Sequence, residues 1–173
     1  MGYTIPMKIC MDVDYRVDHA LVAGLLFAEW GDAAPTQEIV ARIEQVEPYV
    51  PGQFYRRELP CILALLAKVQ APLEVIIVDG YVWLDAQQTA GLGAHLYAAL
   101  DQKISVIGVA KKPFHSATAY EVTRANSTRP LYVTAAGIAV AEAAVAVAQM
   151  HGPYRIPTLL KRVDQLCRQT GPP

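Results

Sequence analysis

Acidic residues placed where apolar segments end are the residues of this sequence best suited to do chemistry. Asp12 and Asp14 follow the apolar segment KICM, and Asp79 ends the aliphatic run VIIV. Two more acids belong to predicted helices, Glu58 near the start of one and Asp164 within the last. A carboxylate at the end of a buried strand is unfavourable unless a cation or a hydrogen-bond donor pairs with it. Because strand ends lie side by side at one edge of a sheet, these acids are candidates for a shared metal site.

Hard oxygen ligands gathered at one point suit Mg²⁺ or Mn²⁺. Two such ions can activate a water molecule and stabilise the leaving oxygen when a phosphodiester is cleaved. Acids near strand ends are also common as helix caps, turn formers or solvated charges. Asp14 could support the metal ligands without binding the ion, but a turn is the favoured interpretation. The residue types alone leave both interpretations open.

The elements that must position these acids are predicted from hydrophobic patterning. Segments rich in apolar and β-branched residues predict strands at MKICMDVDYR, LEVIIVDG, KISVIGVAKKP and RPLYVTAAG. Helices are predicted at RRELPCILALLAKV, TAGLGAHLYAALD, IAVAEAAVAVAQMHG and IPTLLKRVDQLCRQ, with Pro60 and Pro157 near helix starts. The segment TQEIVARIEQV fits either a strand or a short helix. Because strands alternate with helices, the fold class is predicted to be α/β.

Length and composition predict one globular domain over residues 1–173, since hydrophobic residues make up 53% of the chain and charged residues 18%. There is no internal repeat and no low-complexity linker. The net charge of −1 excludes a protein that is basic overall, so any binding of nucleic acid must depend on local patches.

Cysteine usage and hydropathy indicate a cytoplasmic protein. Cys10, Cys61 and Cys167 are too widely spaced for a zinc site or a disulfide framework, which favours buried thiols in a reducing compartment. The N-terminal residues lack the apolar core of a secretory signal. No apolar stretch reaches the roughly 18 residues of a membrane span, so no membrane association is expected.

The segments around the acids resemble the endonuclease V family, and they occur in the family's order. MDVDY is similar to the first-strand element D-V-x-Y, and PYVPGQFYRRELP is similar to PYxPG followed by RE-x-P. VDG resembles the family's second aspartate segment, IGVAKKPF its strand-plus-lysine segment, and YRIPTLLKRVDQL its late RxPEPTRxAD segment. GLGAHL and PLYVTAAG resemble two further family segments, and the resemblance runs from about Lys8 to Leu166.

This resemblance implies a ribonuclease H-like fold, in which a mixed central β-sheet is flanked by helices. It implies catalytic roles for a set of five residues: Asp12, Glu58, Asp79, Lys111 and Asp164. The four acids of that set would bind Mg²⁺, with Mn²⁺ as a substitute. Members of the family nick DNA that contains deoxyinosine, one phosphodiester beyond the nearest on the 3′ side, and some prefer inosine in RNA. The implied partner is therefore DNA or RNA with deaminated purines, and the implied process is DNA repair.

Four residues are candidates for contact with nucleic acid. Tyr49, between two prolines, matches the family's lesion-probing wedge, although a tyrosine packed on a surface turn is the alternative. Lys111 and Lys112 follow a buried strand and so lie at the same edge as the acids, where a lysine can neutralise phosphate or remain a solvated charge. Arg57 precedes Glu58 and is suited to a phosphate contact or to an ion pair with that glutamate.

The match departs from the family after VDG. The family continues with a glycine and a His-Pro-Arg element, and ungapped matching places Asp85, Ala86 and Gln87 at those three positions. Donors for phosphate or lesion are thereby lost, and the added aspartate would repel a polyanion. Two alternatives follow: a catalytically impaired protein that binds or acts as a scaffold on the same fold, or a nuclease with a different nucleic-acid substrate.

Overall fold

A computed structural model describes residues 2, 4–114 and 116–169 of the chain. The described residues form seven strands, β1 (Met7–Tyr15), β2 (Ala20–Phe27), β3 (Gln37–Ile43), β4 (Leu73–Asp79), β5 (Ser105–Ala110), β6 (Tyr120–Val122) and β7 (Leu131–Ala136). They also form four helices, α1 (Tyr55–Leu66), α2 (Leu92–Ala99), α3 (Val140–Gln149) and α4 (Thr158–Arg168).

All seven strands belong to one mixed sheet with the order β3-β2-β1-β4-β5-β7-β6. β4 lies in the middle and runs parallel to both of its neighbours, β1 and β5. The strands farther out pair antiparallel. The carboxyl ends of the three central strands therefore meet at one edge of the sheet, where Asp12 and Asp79 are found.

Helices cover both faces of this sheet. Side chains of α1 and α2, such as Ile62 and Leu96, share a core with Ile9 on one face. On the other face, Val163 of α4 shares a second core with Cys10, together with residues of α3. Because successive side chains of a strand point to opposite faces, Ile9 and Cys10 contribute to different cores. This arrangement explains why the interior of β4 is apolar throughout.

The structure confirms the α/β prediction and resolves the segment that fitted two kinds of element. Residues Gln37–Ile43 form strand β3, which pairs along β2. The short strand β6 had no signal in the sequence, because three residues at a sheet edge carry almost no periodicity. Pro60 lies inside α1 rather than near its start, since the helix already begins at Tyr55. Among the helices of the described residues, none combines the length and the apolarity needed to cross a membrane.

Asp14 lies within β1, so its assignment to a turn was wrong. Its carboxylate binds Arg16 Nε at 2.5 Å. The Arg16 guanidinium in turn donates to the backbone oxygens of Cys167, Arg168 and Gln169 at the end of α4. This contact joins the end of β1 to the C-terminal end of α4, where it satisfies carbonyls that have no partner within the helix.

The buried Arg124 fixes the connection between α3 and α4. Its guanidinium donates to five backbone oxygens, those of Val147, Ala148, Met150, Gly152 and Tyr154, at 2.8–3.3 Å. Burial lowers the pKa of Arg124 from its usual value, and the side chain is 4% exposed. The carbonyls that leave α3 thus find their donors in one side chain, and the path of the chain into α4 is set.

We expect Arg124→Met to destabilise the protein by about 2 kcal/mol, because several buried carbonyls lose their donor. Chemical denaturation monitored by circular dichroism measures this change. Arg56→Met serves as the matched control, since Arg56 is exposed on α1. Equal stability of the two variants would contradict a structural role for Arg124.

Candidate active site

Asp12 and Asp79 are brought together by the register of the two central strands. Met11 of β1 lies opposite Val78 of β4, so the residues that follow them, Asp12 and Asp79, stand side by side. Asp79 is also paired with Val109 of β5. Alternation along each strand places both carboxylates on the face that α3 and α4 cover.

Asp164 reaches the same point from α4. One carboxylate oxygen of Asp12, one of Asp164 and the Cys167 sulfur all lie within 4.8 Å of one another. The helix is amphipathic: Leu159 and Val163 are buried against the sheet, and Asp164 follows on the side that faces the end of β1. Asp12, Asp79 and Asp164 line one cleft together with Lys111.

Glu58 approaches from α1, the helix on the other face of the sheet. The side chain is 5% exposed, and within the described part of the chain its Oε2 atom has no hydrogen-bond partner. The charges of Asp12 and Asp79 both act on it. Glu58 therefore closes the acid cluster from the side opposite to Asp164.

The pKa values of these acids show how burial and neighbouring charges affect their ionisation. Burial, with smaller contributions from Asp12 and Asp79, raises the pKa of Glu58 to about 8. Burial also raises the pKa of Asp12 to about 7, helped by a hydrogen bond with Asp164 and by the charge of Asp79. For Asp164, burial opposes ionisation, but hydrogen bonds with Asp12 and Arg168 outweigh it and lower the pKa. The pKa values of these two neighbouring acids are thus shifted in opposite directions, that of Asp12 upward and that of Asp164 downward.

Asp79 is the most open member of the cluster, since solvent reaches its side chain at the edge of the sheet. The surrounding cleft still desolvates the carboxylate enough to raise its pKa, while the nearby charge of Lys111 acts in the opposite direction. Lys111 is exposed and follows β5, so its ammonium group lies on the open side of the cleft.

This donor set fits a divalent cation. It offers carboxylate oxygens from four elements, one of them buried without a partner, and their mutual repulsion is relieved when a cation binds. The nearby Cys167 is a poor ligand for such an ion, because burial raises the pKa of its thiol to about 12 and keeps it protonated. Oxygen ligands favour a hard ion such as Mg²⁺ over zinc.

Comparison with known proteins identifies the family to which this arrangement belongs. The family model of endonuclease V matches residues 5–146. The chain belongs to the endonuclease V family. An endonuclease V of Streptomyces coelicolor is 31% identical over 91% of this chain and 76% of its own length. One of Streptomyces avermitilis is 32% identical over 79% of this chain and 69% of its own length.

Solved structures agree with the family assignment. The crystal structure of the Streptomyces avermitilis endonuclease V has a TM-score of 0.75 at 26% identity, over 95% of this chain and 81% of that one. The endonuclease V of Ciona intestinalis, solved with a 24-mer DNA containing an inosine, has a TM-score of 0.76 at 15% identity, over 94% of this chain and 84% of that one. These structures confirm the ribonuclease H-like fold.

The endonuclease V family model ends at residue 146, before α4 begins. The position of Asp164 beside Asp12 is therefore an observation of the structure, independent of that match. Its distance along the chain from the other acids is bridged by α3, by the connection that Arg124 holds, and by the packing of α4 on β1 and β2.

The predicted nucleic-acid contacts lie in different surroundings. Tyr49 is 59% exposed in the connection between β3 and α1, and Lys112 is exposed beside Lys111. Arg57 is only partly exposed: its guanidinium lies 3.8 Å from the centre of the Tyr15 ring, and its Nε atom is buried without a partner among the described residues. The alternative ion pair between Arg57 and Glu58 is not present in the described part of the chain.

The positions that match the family's His-Pro-Arg element form a structural turn in this member. Oxygens of the Asp85 side chain accept hydrogen bonds from the backbone of Gln87 and Thr89 and from the Thr89 hydroxyl. Trp83 packs into the core of the α1 and α2 face and donates to the Ala135 oxygen at 2.9 Å. The hydroxyl of Tyr81 donates to the Lys112 oxygen at 2.6 Å. Asp85 therefore stabilises its own loop.

Sequence reasoning missed one group of cations near the acids. Arg129, Arg155 and Lys161 line a depression that shares Lys111 and Asp164 with the acid cleft. Arg155 is the first arginine of the segment YRIPTLLKRVDQL, so the resemblance itself contained a signal for it. Arg129 is the first residue of the predicted strand RPLYVTAAG and lies just before β7, and only the fold brings it to this place.

Proposed function

We propose that this protein is a metal-dependent endonuclease that nicks nucleic acid on the 3′ side of deaminated purines and so acts in DNA repair. The observation that carries the proposal is the gathering of carboxylates from β1, β4, α1 and α4 at the carboxyl ends of the central strands, where one oxygen of Glu58 is buried without a hydrogen-bond partner in the described part of the chain. A cluster this costly is expected only where a cation offsets its charge.

Asp12, Glu58, Asp79 and Asp164 would hold Mg²⁺, and Mn²⁺ would replace it because both ions prefer oxygen ligands. A bound divalent ion lowers the pKa of its water and stabilises negative charge on the phosphate. Lys111, on the open side of the cleft, adds positive charge next to the scissile phosphate. Binding of the ion by Asp12 and Asp164 would favour the ionised form of both carboxylates, so the raised pKa of Asp12 would fall.

The substrate assignment is supported by the family and by the exposed aromatic wedge. Tyr49 stands between Pro48 and Pro51, which restrict the backbone and present the ring at the surface. A rigid exposed ring of this kind can hold two strands apart beside an extruded base. The Ciona intestinalis relative was solved with DNA containing an inosine, which favours the same base here. The cytoplasmic location and a one-domain organisation over residues 1–173 stay predictions.

A second candidate, a protein that binds the same nucleic acids without cutting them, is favoured by the loop at Asp85. At the positions where the family has its His-Pro-Arg element, the Asp85 carboxylate accepts hydrogen bonds from Gln87 and Thr89 of the same loop. A nuclease with another substrate, such as structured or single-stranded nucleic acid, is favoured by the same observation.

A panel of end-labelled oligonucleotides distinguishes these functions. The panel contains DNA and RNA, each with and without inosine, in single-stranded and duplex form, incubated with the protein and Mg²⁺, Mn²⁺ or EDTA. We expect metal-dependent nicking 3′ to inosine and none in EDTA. Binding of the inosine strands without nicking would establish the second candidate, and nicking that ignores inosine would establish the third.

A further inference from the structure

A depression lined by cations leads away from the acid cluster along the beginning of α4. Lys111, Arg129, Tyr154, Arg155 and Lys161 line it together with Asp164 of the acid cluster, and we name it the α4 groove. It joins the acid cleft through shared residues at one end. At the other end it continues past Tyr154 and Lys161 to the connection between β2 and β3 at residues 33–35.

The cations of the α4 groove are available to a ligand. Lys111, Arg129 and Lys161 are exposed, and within the described residues none of them forms a direct ion pair, while the charge of Lys111 acts on Asp79 and Asp164. Arg162, near the far end, differs because Glu38 holds it through two hydrogen bonds of 2.9 and 3.0 Å. A local accumulation of unpaired cations in a chain of net charge −1 is the local patch that binding to a polyanion requires.

Arg155 makes this patch rigid. Its guanidinium donates to the backbone oxygens of Arg129 at 3.1 Å and Pro130 at 2.9 Å, and also to that of Lys111. The backbones of Lys111 and Arg129 are thus tied to one side chain, although they belong to different connections of the sheet. Fixing the backbone of both residues reduces the entropy lost when a ligand binds across them.

Tyr154 adds an aromatic surface between the two parts of the groove. Its side chain is 70% exposed, whereas its backbone oxygen accepts a hydrogen bond from the buried Arg124. An exposed ring on a fixed backbone, flanked by cations, is the combination by which proteins bind single-stranded nucleic acid. A base can stack on such a ring only when it is not stacked within a duplex.

We infer that the α4 groove binds the single strand that leaves the scissile phosphate. Arg129 and Lys161 contact successive backbone phosphates of that strand, and Tyr154 stacks on one of its bases. This inference rests on the proposed nuclease function, because it takes the acid cluster as the place of the scissile phosphate. It adds to that function a second contact region, which extends the recognised substrate beyond the lesion.

Binding of a fluorescein-labelled single-stranded oligonucleotide with one inosine tests the inference. Fluorescence anisotropy in Mg²⁺ is measured with the full chain carrying Asp79→Asn, which is expected not to cut. In this background, Arg129→Ala and Lys161→Ala should each weaken binding by roughly three- to tenfold near 0.1 M salt. The double variant should reduce the slope of log affinity against log salt by about 1.4, since each phosphate contact on a single strand contributes about 0.7.

Tyr154→Ala should behave differently from the lysine and arginine variants. We expect at least about fivefold weaker binding, because base stacking is lost, with an unchanged salt slope. Lys103→Ala is the matched control, since Lys103 is exposed ahead of β5, at the opposite edge of the sheet from Lys111. The oligonucleotide is then shortened stepwise, either on the 5′ side or on the 3′ side of the inosine. On one of these sides, shortening past a certain length should abolish the difference in affinity between the parent protein and all three groove variants.

The inference would be overturned if the groove variants bind as tightly as the Lys103→Ala control. It would also be overturned if the groove variants still weaken the binding of every shortened oligonucleotide. These outcomes are separable from failure of the proposed function. Wild-type protein that never nicks, yet binds through the groove, contradicts the nuclease assignment alone. Wild-type protein that nicks beside inosine while the groove variants bind normally contradicts the groove alone.

Discussion

Replacing Asp79 by asparagine should reduce nicking of an inosine-containing oligonucleotide by roughly 10³-fold or more, which corresponds to about 4 kcal/mol of transition-state stabilisation. Asp79 is the most open carboxylate of the cluster and stands beside Asp12 at the end of the central strand. Asparagine keeps the shape of the side chain but removes the charge that binds the cation. Because the side chain is exposed, the fold should be unaffected.

Single-turnover nicking rates in Mg²⁺ measure this effect, and calorimetric titration with Mn²⁺ shows whether metal binding is weakened in parallel. Asp101→Asn is the matched control. Asp101 is an exposed acid in the turn before β5, at the opposite edge of the sheet, and its φ of 56° is tolerated by asparagine. Nicking by Asp79→Asn within tenfold of the wild-type rate would refute the assigned role.

Replacing Glu58 by glutamine should stabilise the metal-free protein at pH 8 by on the order of 3 kcal/mol, or roughly 6–12 °C in melting temperature. Folding raises the pKa of Glu58 from 4.5 to about 8 and that of Asp12 from 3.8 to about 7. Between these values the folded protein holds protons that the unfolded chain has released. The stability of the metal-free wild type therefore falls as the pH rises from about 4 to about 8.

The glutamine variant removes the contribution of Glu58 to this pH dependence, so the two proteins should differ most at pH 8 and least at pH 4. Thermal unfolding in EDTA across this range measures the difference. Adding Mg²⁺ at pH 8 should raise the melting temperature of the wild type more than that of the variant, because the cation takes the place of the missing protons. Glu121→Gln, at an exposed position of β6, provides the control. A variant less stable than wild type at pH 8 would contradict the energetic account of the cluster.

Together these two experiments examine opposite consequences of one arrangement. A carboxylate cluster that binds a catalytic cation lowers the stability of the metal-free fold, and the residues that cost stability are those that contribute to activity. Asp79 is suited to the activity test because it is exposed, and Glu58 to the stability test because it is buried. A non-catalytic member of the family that had lost its cation would have no reason to retain this cost.

Several features of this protein follow from local sequence. The apolar segments that end at Asp12 and Asp79 predicted two strands whose ends carry acids, and β1 and β4 end within a few residues of those positions. The four predicted helices likewise correspond to α1, α2, α3 and α4. Such patterns can be recognised in the sequence because the periodicity of a helix or a strand depends on residues that are close along the chain.

The tertiary structure alone decided how these elements meet. It brought Asp164 of α4 to Asp12, set Glu58 on the other side of the sheet end, and used Asp85 for a turn where the family has a different element. It also assembled the α4 groove by bringing Arg129 to Arg155 and Lys161, which belong to a separate segment of the chain. Contacts of this kind depend on strand register and helix packing between segments far apart along the chain, and local periodicity carries no information about either.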